Sequence, residues 1–338
     1  MNWGLCTFCA HASKEAIAEV ISNACVTRCN SLFQSSIRFY CVTFLRSWVT
    51  NFSTRLVYLF CLVVTPLVAR AIDIPPGQAV APPPGKTSIR FELNSVQVGE
   101  KYKNSESLNA DAELGLHSLG VQYAGSFLIK NKLAGFYLNT SVARAIPGGS
   151  IASQDMETGV TDSAAALVTW LLADKEKGRY AVLGTFVILP TGDYDSNRAI
   201  NFGKNRLAGG FQLGYHTRLS DKFDAMVTTD VIFSAKNDDY RLTHQSYKQK
   251  PLHSTQFTVM HHINPTLMLS ATYYLYNGGE GKLDGIRLDD KTKRKRYEAV
   301  LSKRVKSGKY FVYAGRDQDT ENGFVEDLRL SLRYQHYF

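Results

Sequence analysis

Apolar and polar residues alternate along most of the chain that follows residue 86. Every second residue from Phe223 to Phe233 is apolar or threonine, and the residues between them include Asp224 and Asp230. A period of two is typical of β-strands with one apolar face. The pattern predicts twelve strands, near residues 87–98, 115–128, 132–145, 163–173, 179–190, 205–218, 222–235, 253–263, 266–276, 295–305, 309–316 and 326–338.

The connections between these strands alternate between long and short. The long, polar connections lie near residues 99–114, 146–162, 191–204, 236–252, 277–294 and 317–325. Outer-membrane barrels show this alternation because their periplasmic turns are short and their outward loops are long, whereas a soluble β-sandwich has no reason to keep it. The sequence therefore predicts an all-β fold for residues 87–338, a transmembrane antiparallel up-and-down β-barrel of about 12 strands, of the bacterial outer-membrane type.

The chain ends on an aromatic residue, Phe338, which Tyr334, Leu332 and Leu330 precede at alternating positions. A terminal strand that closes on an aromatic residue resembles the assembly signal of bacterial outer-membrane proteins. The resemblance implies a contact with the outer-membrane assembly machinery. It is incomplete at His336, where an apolar residue is commoner, and an ordinary edge strand is the alternative interpretation.

Composition and charge exclude several classes of protein. The 338 residues are 44% hydrophobic and 20% charged, which excludes a disordered chain. The longest largely apolar run, Leu56–Val68, is shorter than the roughly 20 residues that a transmembrane helix needs. The net charge of +9 is dispersed, with no basic patch interleaved with aromatic residues, so no nucleic-acid partner is expected.

Residues 49–71 have the three parts of a secretory signal peptide. Arg55 supplies the positive charge, Leu56–Val68 the apolar core, and Ala69 and Ala71 the small residues before the cleavage site. The mature chain would then start with a Pro-rich segment, residues 72–86, interpreted as a periplasmic leader or a plug. Residues 1–48 are interpreted as a non-native N-terminal extension, produced by a start codon assigned too early, and a separate targeting segment is the alternative.

All six cysteines lie within the first 61 residues. Cys6 and Cys9 are separated from Cys25 and Cys29 by 15 residues, which is close to the spacing of a four-thiolate zinc site. Such a site needs a reducing compartment, whereas the signal peptide predicts export. We therefore expect neither a metal nor a cofactor in the mature chain.

Turning the apolar face of each strand toward lipid places a set of charged side chains inside the barrel. These lumen and selectivity candidates are Arg90, Glu92, Asp224, Asp230, Arg296, Glu298, Arg329 and Arg333. Closure makes the first and last strands neighbours. Arg90 and Glu92 are therefore expected to meet Arg329 and Arg333 across the seam between these strands. Two interpretations stay open, a charged constriction that selects permeants and a salt-bridge ladder that braces the wall.

The strands predicted near residues 163–173 and 179–190 are apolar on both faces. One sector of the inner wall is therefore expected to be apolar, and we assign Leu167, Leu171, Leu183 and Val187 to it. Such a sector suits an aromatic or acyl permeant. It equally suits a plug, formed by the leader or by an inward-folded loop, because an apolar surface must be covered.

Some outer-membrane barrels are enzymes that act on lipid or acyl substrates, and the candidates here are His253, Ser254, His261 and His262. The sequence has neither a Gly-x-Ser-x-Gly nucleophile elbow nor a His-Glu-x-x-His zinc helix. The rings of His261 and His262 point to opposite faces of a strand, so they cannot share one metal. We predict that the protein is not an enzyme. A serine and a histidine within hydrogen-bond reach would argue against this prediction.

Six short motifs follow one another along the chain. They are DIPPG at 73–77, APPPG at 81–85, LPTGDY at 189–194, GKNR at 203–206, QLGY at 212–215 and NDDY at 237–240. Together they resemble the family described as Putative MetA-pathway of phenol degradation, across residues 72–338. The resemblance implies an outer-membrane β-barrel of a Gram-negative bacterium that passes aromatic or other apolar compounds. It transfers no catalytic or binding residues, and the Pro and Gly residues also suit ordinary turns.

We predict a passive channel or carrier for the uptake or efflux of small apolar or aromatic compounds. The alternatives are an outer-membrane enzyme and a structural or adhesion barrel. Besides the lipid bilayer, the expected partner is lipopolysaccharide, because the end of the loop predicted at 277–294 is basic. Its five cations, suited to phosphate groups, are Lys291, Lys293, Arg294, Lys295 and Arg296.

Overall fold

The computed structural model describes residues 73–109 and 111–338, and these residues form an all-β structure. The segments assigned to an N-terminal extension and a signal peptide, and the cysteine motifs, lie outside the described residues. Twelve strands form the barrel: β1 Thr87–Lys103, β2 Ala112–Ile129, β3 Lys132–Gly149, β4 Ser163–Asp174, β5 Arg179–Leu189, β6 Ala208–Arg218, β7 Phe223–Ser234, β8 Leu252–Asn264, β9 Leu267–Gly278, β10 Thr292–Val305, β11 Gly308–Thr320 and β12 Gly323–Tyr337. In the described part of the chain, no helix is long and apolar enough to cross a membrane.

The barrel is closed. Each strand pairs antiparallel with its sequence neighbours, and β12 returns to pair with β1. The seam runs from Ser88 opposite Tyr337 to Tyr102 opposite Gly323, and the Phe338 N–H donates to the Thr87 carbonyl at 2.9 Å. Closure gives every strand two partners, which satisfies the backbone hydrogen-bonding groups that lipid cannot. The predicted twelve-strand up-and-down barrel is confirmed.

The strand connections are short at the end of the barrel that holds the chain terminus. The β2–β3 turn consists of Lys130 and Asn131, both with positive φ, as a two-residue hairpin turn requires. The opposite end carries the long connections, except that β11 and β12 are joined by Glu321 and Asn322 alone. The prediction of a long loop at 317–325 is therefore wrong, because most of these residues belong to β11 and β12. By the rule for outer-membrane barrels, the short turns mark the periplasmic end.

The long connections contain short strands of their own. Two of them extend the barrel edge, with Glu106–Asn109 pairing with β1 and Glu157–Val160 pairing with β3. Four others form a separate small sheet in the order Asn237–Tyr240, Gln245–Gln249, Gly281–Leu283 and Ile286–Arg287. This outer sheet ties the β7–β8 loop to the β9–β10 loop.

The two faces of the barrel differ as the alternation predicts. The outer face carries large apolar side chains that are about half exposed, including Leu93, Leu119, Leu138, Phe211, Phe257, Val312 and Leu332. The inner face of β8 and β9 instead presents buried polar side chains, such as Gln256, Thr258 and Thr272. An apolar band outside and a polar interior are what a transmembrane barrel needs.

Residues 73–86, which we call the leader, enter the barrel, with Pro75, Pro76, Ala79 and Ala81 buried and residues 83–86 exposed. The leader begins with a turn in which the Gln78 N–H donates to the Pro75 carbonyl at 3.0 Å. Gly77 has a φ of 80° there, and Pro before Gly at these positions defines a type II turn. Ala79 is buried against Val182, Met226, Met260 and Met268 of the barrel wall. The DIPPG motif is thus explained as a turn that fits within the lumen.

Candidate functional site: the barrel lumen

A cavity of about 960 Å³ occupies the lumen toward the periplasmic end. The leader forms one side of this central cavity, and strands from most of the barrel form the other. Trp170 of β4 reaches across to the leader, because its Nε1–H donates to the Ala79 carbonyl at 2.9 Å. The described lumen is therefore a space that the chain's own leader narrows.

All eight predicted lumen residues face the interior. At the seam, Arg333 Nε lies 2.7 Å from Glu92 Oε2, and the Arg333 guanidinium lies 3.9 Å from the Tyr313 ring centroid. Arg90 Nε lies 4.0 Å from Glu92 Oε2, and the Arg90 guanidinium also contacts the Gln122 side chain. The seam therefore brings together three of the four residues expected there.

The fourth residue, Arg329, belongs to a different cluster. It lies opposite Val96 in the seam and pairs with Glu326. Arg294 joins this cluster with Nε 3.4 Å from Asp317 Oδ2 and Nη1 3.7 Å from Glu326 Oε1. The predicted contact of Arg329 with Arg90 and Glu92 is therefore wrong, because Arg329 lies several register positions away from them along the seam.

Arg296 holds the leader to the wall. Its Nη2 lies 2.5 Å from Asp73 Oδ2, and its guanidinium lies 4.0 Å from the centroid of Tyr274. The hydroxyl of Tyr276 donates to the other Asp73 oxygen at 3.1 Å. Glu298, the next inward residue, accepts a hydrogen bond from the Tyr274 hydroxyl at 2.8 Å. The alternation of the strand predicts that Arg296 and Glu298 face the lumen. No pattern in the sequence predicts that Asp73 of the leader contacts Arg296.

The two aspartates of β7 have neutral or histidine partners. Asp230 accepts hydrogen bonds from Ser254 Oγ at 2.6 Å and from Gln212 Nε2 at 3.4 Å. Asp224 Oδ2 lies 2.8 Å from His262 Nε2 and 3.4 Å from His216 Nε2. The candidate nucleophile Ser254 thus contacts a carboxylate.

The other predicted histidines lie on the outer face. His253 is exposed, and the His261 ring stacks on Phe223 at 4.7 Å between centroids. His261 and His262 therefore point to opposite faces, as expected. Within residues 73–109 and 111–338, no group of three or more His, Cys, Asp or Glu side chains is arranged to hold a metal ion.

One sector of the inner wall is apolar, as predicted, but the four residues predicted to form it lie on the outer face. Leu167 and Leu171 are 62% and 64% exposed on the outer face, and Leu183 and Val187 alternate with the inward residues of β5. The inward apolar side chains are Val168, Trp170, Val182 and Ile188. The error arises because both faces of β4 and β5 are apolar, so the sequence gives no polar marker of the lumen side.

The β5–β6 loop, residues 190–207, folds into the outward end of the barrel. Asp162 holds its two ends together, accepting the N–H of Gly192 and of Lys204, each at 3.0 Å. A Cβ on Gly203 would lie 2.4 Å from the Gly192 carbonyl oxygen, so the close approach requires glycine. Burial raises the pKa of Asp162. Gly192 of the LPTGDY motif and Gly203 of the GKNR motif thus allow the two ends of the loop to approach closely.

A second, smaller cavity of about 160 Å³ lies beyond this loop, toward the outward end. Phe202 and Lys204 of the loop line both this outer cavity and the central cavity. Ile200 and Phe202 pack against the buried apolar cluster that includes Val98 and Leu114. The loop therefore separates the two cavities and narrows the lumen from the outward side.

The basic segment at the start of β10 is divided between the two faces. Arg294 and Arg296 are buried in the lumen, so they are not available to lipopolysaccharide phosphates. Lys293 and Lys295 point outward, where their Nζ atoms lie 2.7 Å from Glu321 and 3.1 Å from Asp319. Only the outward lysines of this segment remain candidates for that contact.

The closed barrel, its apolar outer band and its polar interior define an outer-membrane β-barrel of a Gram-negative bacterium. The chain belongs to the family described as Putative MetA-pathway of phenol degradation, which it matches over residues 79–334. The resemblance found in the short motifs is therefore confirmed. No match was found among curated protein sequences.

A solved structure shows the same fold, and two others superpose less well. The COG4313 outer membrane channel from Pseudomonas putida F1 superposes with a TM-score of 0.76 at 22% sequence identity, covering 79% of this chain and 100% of that one. The KdgM porin gives a TM-score of 0.40 at 11% identity, covering 74% and 99%. The transport unit of the autotransporter AIDA-I from Escherichia coli gives 0.46 at 7% identity, covering 79% and 94%.

Proposed function

We propose that this protein is an outer-membrane channel that passively conducts small apolar or aromatic compounds. The observation that carries the proposal is the central cavity of about 960 Å³ inside a closed barrel. Its volume is at the upper end of the roughly 300–1,000 Å³ range of small-molecule sites. The P. putida protein of the same fold is described as an outer membrane channel, which supports the same role here.

One sector of the cavity wall supports the proposed substrate class. Val168, Trp170, Val182 and Ile188 line the cavity next to the polar wall formed by the other strands, and the leader covers part of this apolar surface. Burying an apolar group of the permeant there stabilises it by about 25 cal/mol per Å². A small molecule with an aromatic or aliphatic part is therefore favoured over a fully polar solute.

The leader and the charged side chains set the conducting route. The leader fills part of the lumen and is held by the Asp73–Arg296 ion pair. The seam pair Glu92–Arg333 neutralises charge next to the cavity. We propose that these pairs chiefly brace the wall and the leader, because charges removed from bulk water need partners.

The direct test is single-channel conductance of the protein purified from outer membranes, in a planar bilayer. We expect ohmic current steps that a neutral single-ring compound such as cresol reduces while it occupies the lumen. Ile188→Val should weaken this block, since losing one buried methylene costs about 0.8 kcal/mol, roughly fourfold. The control is Val187→Ala, which also shortens an aliphatic side chain, one residue away on the outer face.

Two results would contradict the proposal. A barrel shown by circular dichroism to be folded, yet silent in the bilayer, would argue against a channel. Current steps that cresol leaves unchanged would retain a channel but remove the apolar or aromatic substrate class.

A further inference from the structure

The outer cavity has one wall suited to an aromatic ring. Its volume of about 160 Å³ is close to that of an engineered apolar cavity of roughly 150 Å³ that binds benzene. The apolar wall is formed by Val98, Leu114, Leu116, Ile151, Ile200 and Phe202. A single six-membered ring therefore matches this cavity in size and in chemistry.

The lining of the outer cavity is also rich in cations. Five basic side chains and two acidic ones line the cavity: Arg198, Lys204, Arg206, Arg241 and Arg294 against Asp290 and Glu326. Both acidic groups are already engaged. Glu326 pairs with two arginines of the barrel, and an Asp290 oxygen accepts the Gly281 N–H at 2.7 Å. Arg198 pairs with Glu157 and Asp195, and Arg294 pairs with Asp317 and Glu326, so the surplus of positive charge lies with the remaining cations of the cavity lining.

Arg206 and Lys204 account for much of this surplus. Neither takes part in an ion pair among the described residues, and Arg206 is only 5% exposed. One guanidinium nitrogen of Arg206, Nη2, donates to Gln249 Oε1 at 2.6 Å, whereas Nη1 is buried with no hydrogen-bond partner. A buried donor without a partner costs free energy that a ligand oxygen would offset.

The arrangement around Arg206 is rigid. Its guanidinium lies 4.9 Å from the Tyr247 ring centroid, and Tyr247 stacks on Tyr240 at 4.5 Å. Arg241 covers the far side of that stack, 4.9 Å from the Tyr240 centroid. The contact with the Tyr247 ring and the hydrogen bond to Gln249 restrict the orientation of the Arg206 guanidinium, and a guanidinium held in this way suits a planar carboxylate.

Lys204 adds a second cation to the same wall. Burial and the neighbouring charge of Arg206 lower the pKa of Lys204 to about 8. Two like charges withdrawn from water repel each other, and a bound anion would relieve that repulsion.

We propose that the outer cavity binds a monocarboxylate that carries a single aromatic ring. The carboxylate contacts Arg206 and Lys204, and the ring lies against Ile200 and Phe202. The cavity is then the first binding site on the inward route, which rests on the proposed channel function and narrows its substrate class to aromatic acids.

The test is calorimetric titration of the detergent-purified protein with benzoate. Benzyl alcohol, which keeps the ring, and acetate, which keeps the carboxylate, serve as comparison ligands. We expect benzoate to bind at least about tenfold more tightly than either, since a charge-assisted bidentate contact and a buried ring each contribute. This comparison needs no variant, so it does not depend on a substitution folding.

Substitutions then locate the site. Arg206→Gln and Lys204→Gln should each weaken benzoate binding about tenfold, and Arg206→Lys, which keeps the charge but loses the fork, should weaken it by less than Arg206→Gln. Lys236→Gln is the matched control, because it removes one cation from the same end of the barrel at an exposed pair with Asp238.

No benzoate binding by the folded protein, or equal binding by Arg206→Gln, would overturn the site. Acetate or benzyl alcohol binding as tightly as benzoate would overturn the aromatic-acid specificity. Conductance of the same preparation separates this inference from the channel proposal. A conducting barrel that does not bind benzoate refutes the site alone, and a silent barrel that binds it refutes the channel alone.

Discussion

Asp73 and Arg296 form an ion pair that joins the leader to the barrel wall, with 2.5 Å between Oδ2 and Nη2. Arg296 also lies over the rings of Tyr274 and Tyr276, at 4.0 and 5.5 Å from their centroids. The start of the leader is therefore held to the wall through the carboxylate of Asp73, in addition to the hydrogen bond from Trp170 to Ala79 further along.

Asp73→Ala should release this end of the leader and increase single-channel conductance severalfold. Removing one partner of a buried ion pair typically costs about 3–5 kcal/mol, because the remaining charge is uncompensated. Asp319→Ala is the control, since it removes a carboxylate from an exposed pair on the outer face. Identical conductance of Asp73→Ala and the unsubstituted protein would show that the leader does not limit the current.

Trp170 gives a second readout of the same change. It is the only tryptophan in residues 73–338, and its indole donates to the Ala79 carbonyl of the leader. The difference in emission between the protein and its Trp170→Phe variant isolates this indole. That difference spectrum should shift to longer wavelength in the Asp73→Ala background, because water reaches the indole once the leader moves away.

Glu92 and Arg333 should stabilise the seam. Their side chains are 17% and 15% exposed and 2.7 Å apart, so Glu92→Gln is expected to lower the free energy of unfolding by about 1–3 kcal/mol. A double-mutant cycle with Arg333→Gln, followed by urea unfolding, measures the coupling. The exposed pair Lys295–Asp319 is the comparison, with an expected coupling of about 0.2–1 kcal/mol. A seam coupling no larger than that of this outer pair would contradict the bracing role.

Glu280 should make the outer sheet sensitive to acid. Hydrogen bonds from Arg287 and from Lys250 lower the pKa of Glu280 to about 2, from an ordinary value of 4.5. A depressed pKa contributes stability that is fully present above pH 4.5 and is lost as the pH falls toward 2. The thermal midpoint of the protein should therefore exceed that of Glu280→Gln at neutral pH, and the gap should close between those two pH values. A gap that is independent of pH would refute the assignment.

The outward assignment of Leu167 is also testable. Leu167 pairs with Phe136 and Thr185 near the middle of β4, at a position that faces lipid. Leu167→Arg should destabilise the barrel by about 2–4 kcal/mol, the typical cost of an arginine on the lipid face near the midplane. Gln212→Arg is the control, because Gln212 faces the lumen next to Asp230. Equal tolerance of the two arginines in urea unfolding would restore Leu167 to the lumen.

The strands could be predicted because lipid and water impose opposite demands on alternate residues. Where that contrast is strong, as from Phe223 to Phe233, the predicted strand agrees with the structure within about two residues. Where both faces are apolar, as around Leu167 and Val168, the sequence predicts the strand but does not show which of its faces lies toward the lumen.

The lumen was predictable in part. Arg90, Glu92 and Arg333 meet because closure follows from the strand count, so their neighbourhood could be inferred without coordinates. The prediction of a long loop at 317–325 is wrong because the polar residues Asp317 and Glu326 are not exposed to bulk water. They face the lumen and pair with Arg294, and sequence patterns do not distinguish a polar lumen from a solvated loop.

The leader immediately precedes β1, and it lies inside a barrel whose final closing contact joins β1 to β12. The other strand pairs join chain neighbours, but the seam must wait until the last strand has been made. During biogenesis the N-terminal segment is therefore available before the barrel is complete, and the wall can close around it without any threading through a finished pore.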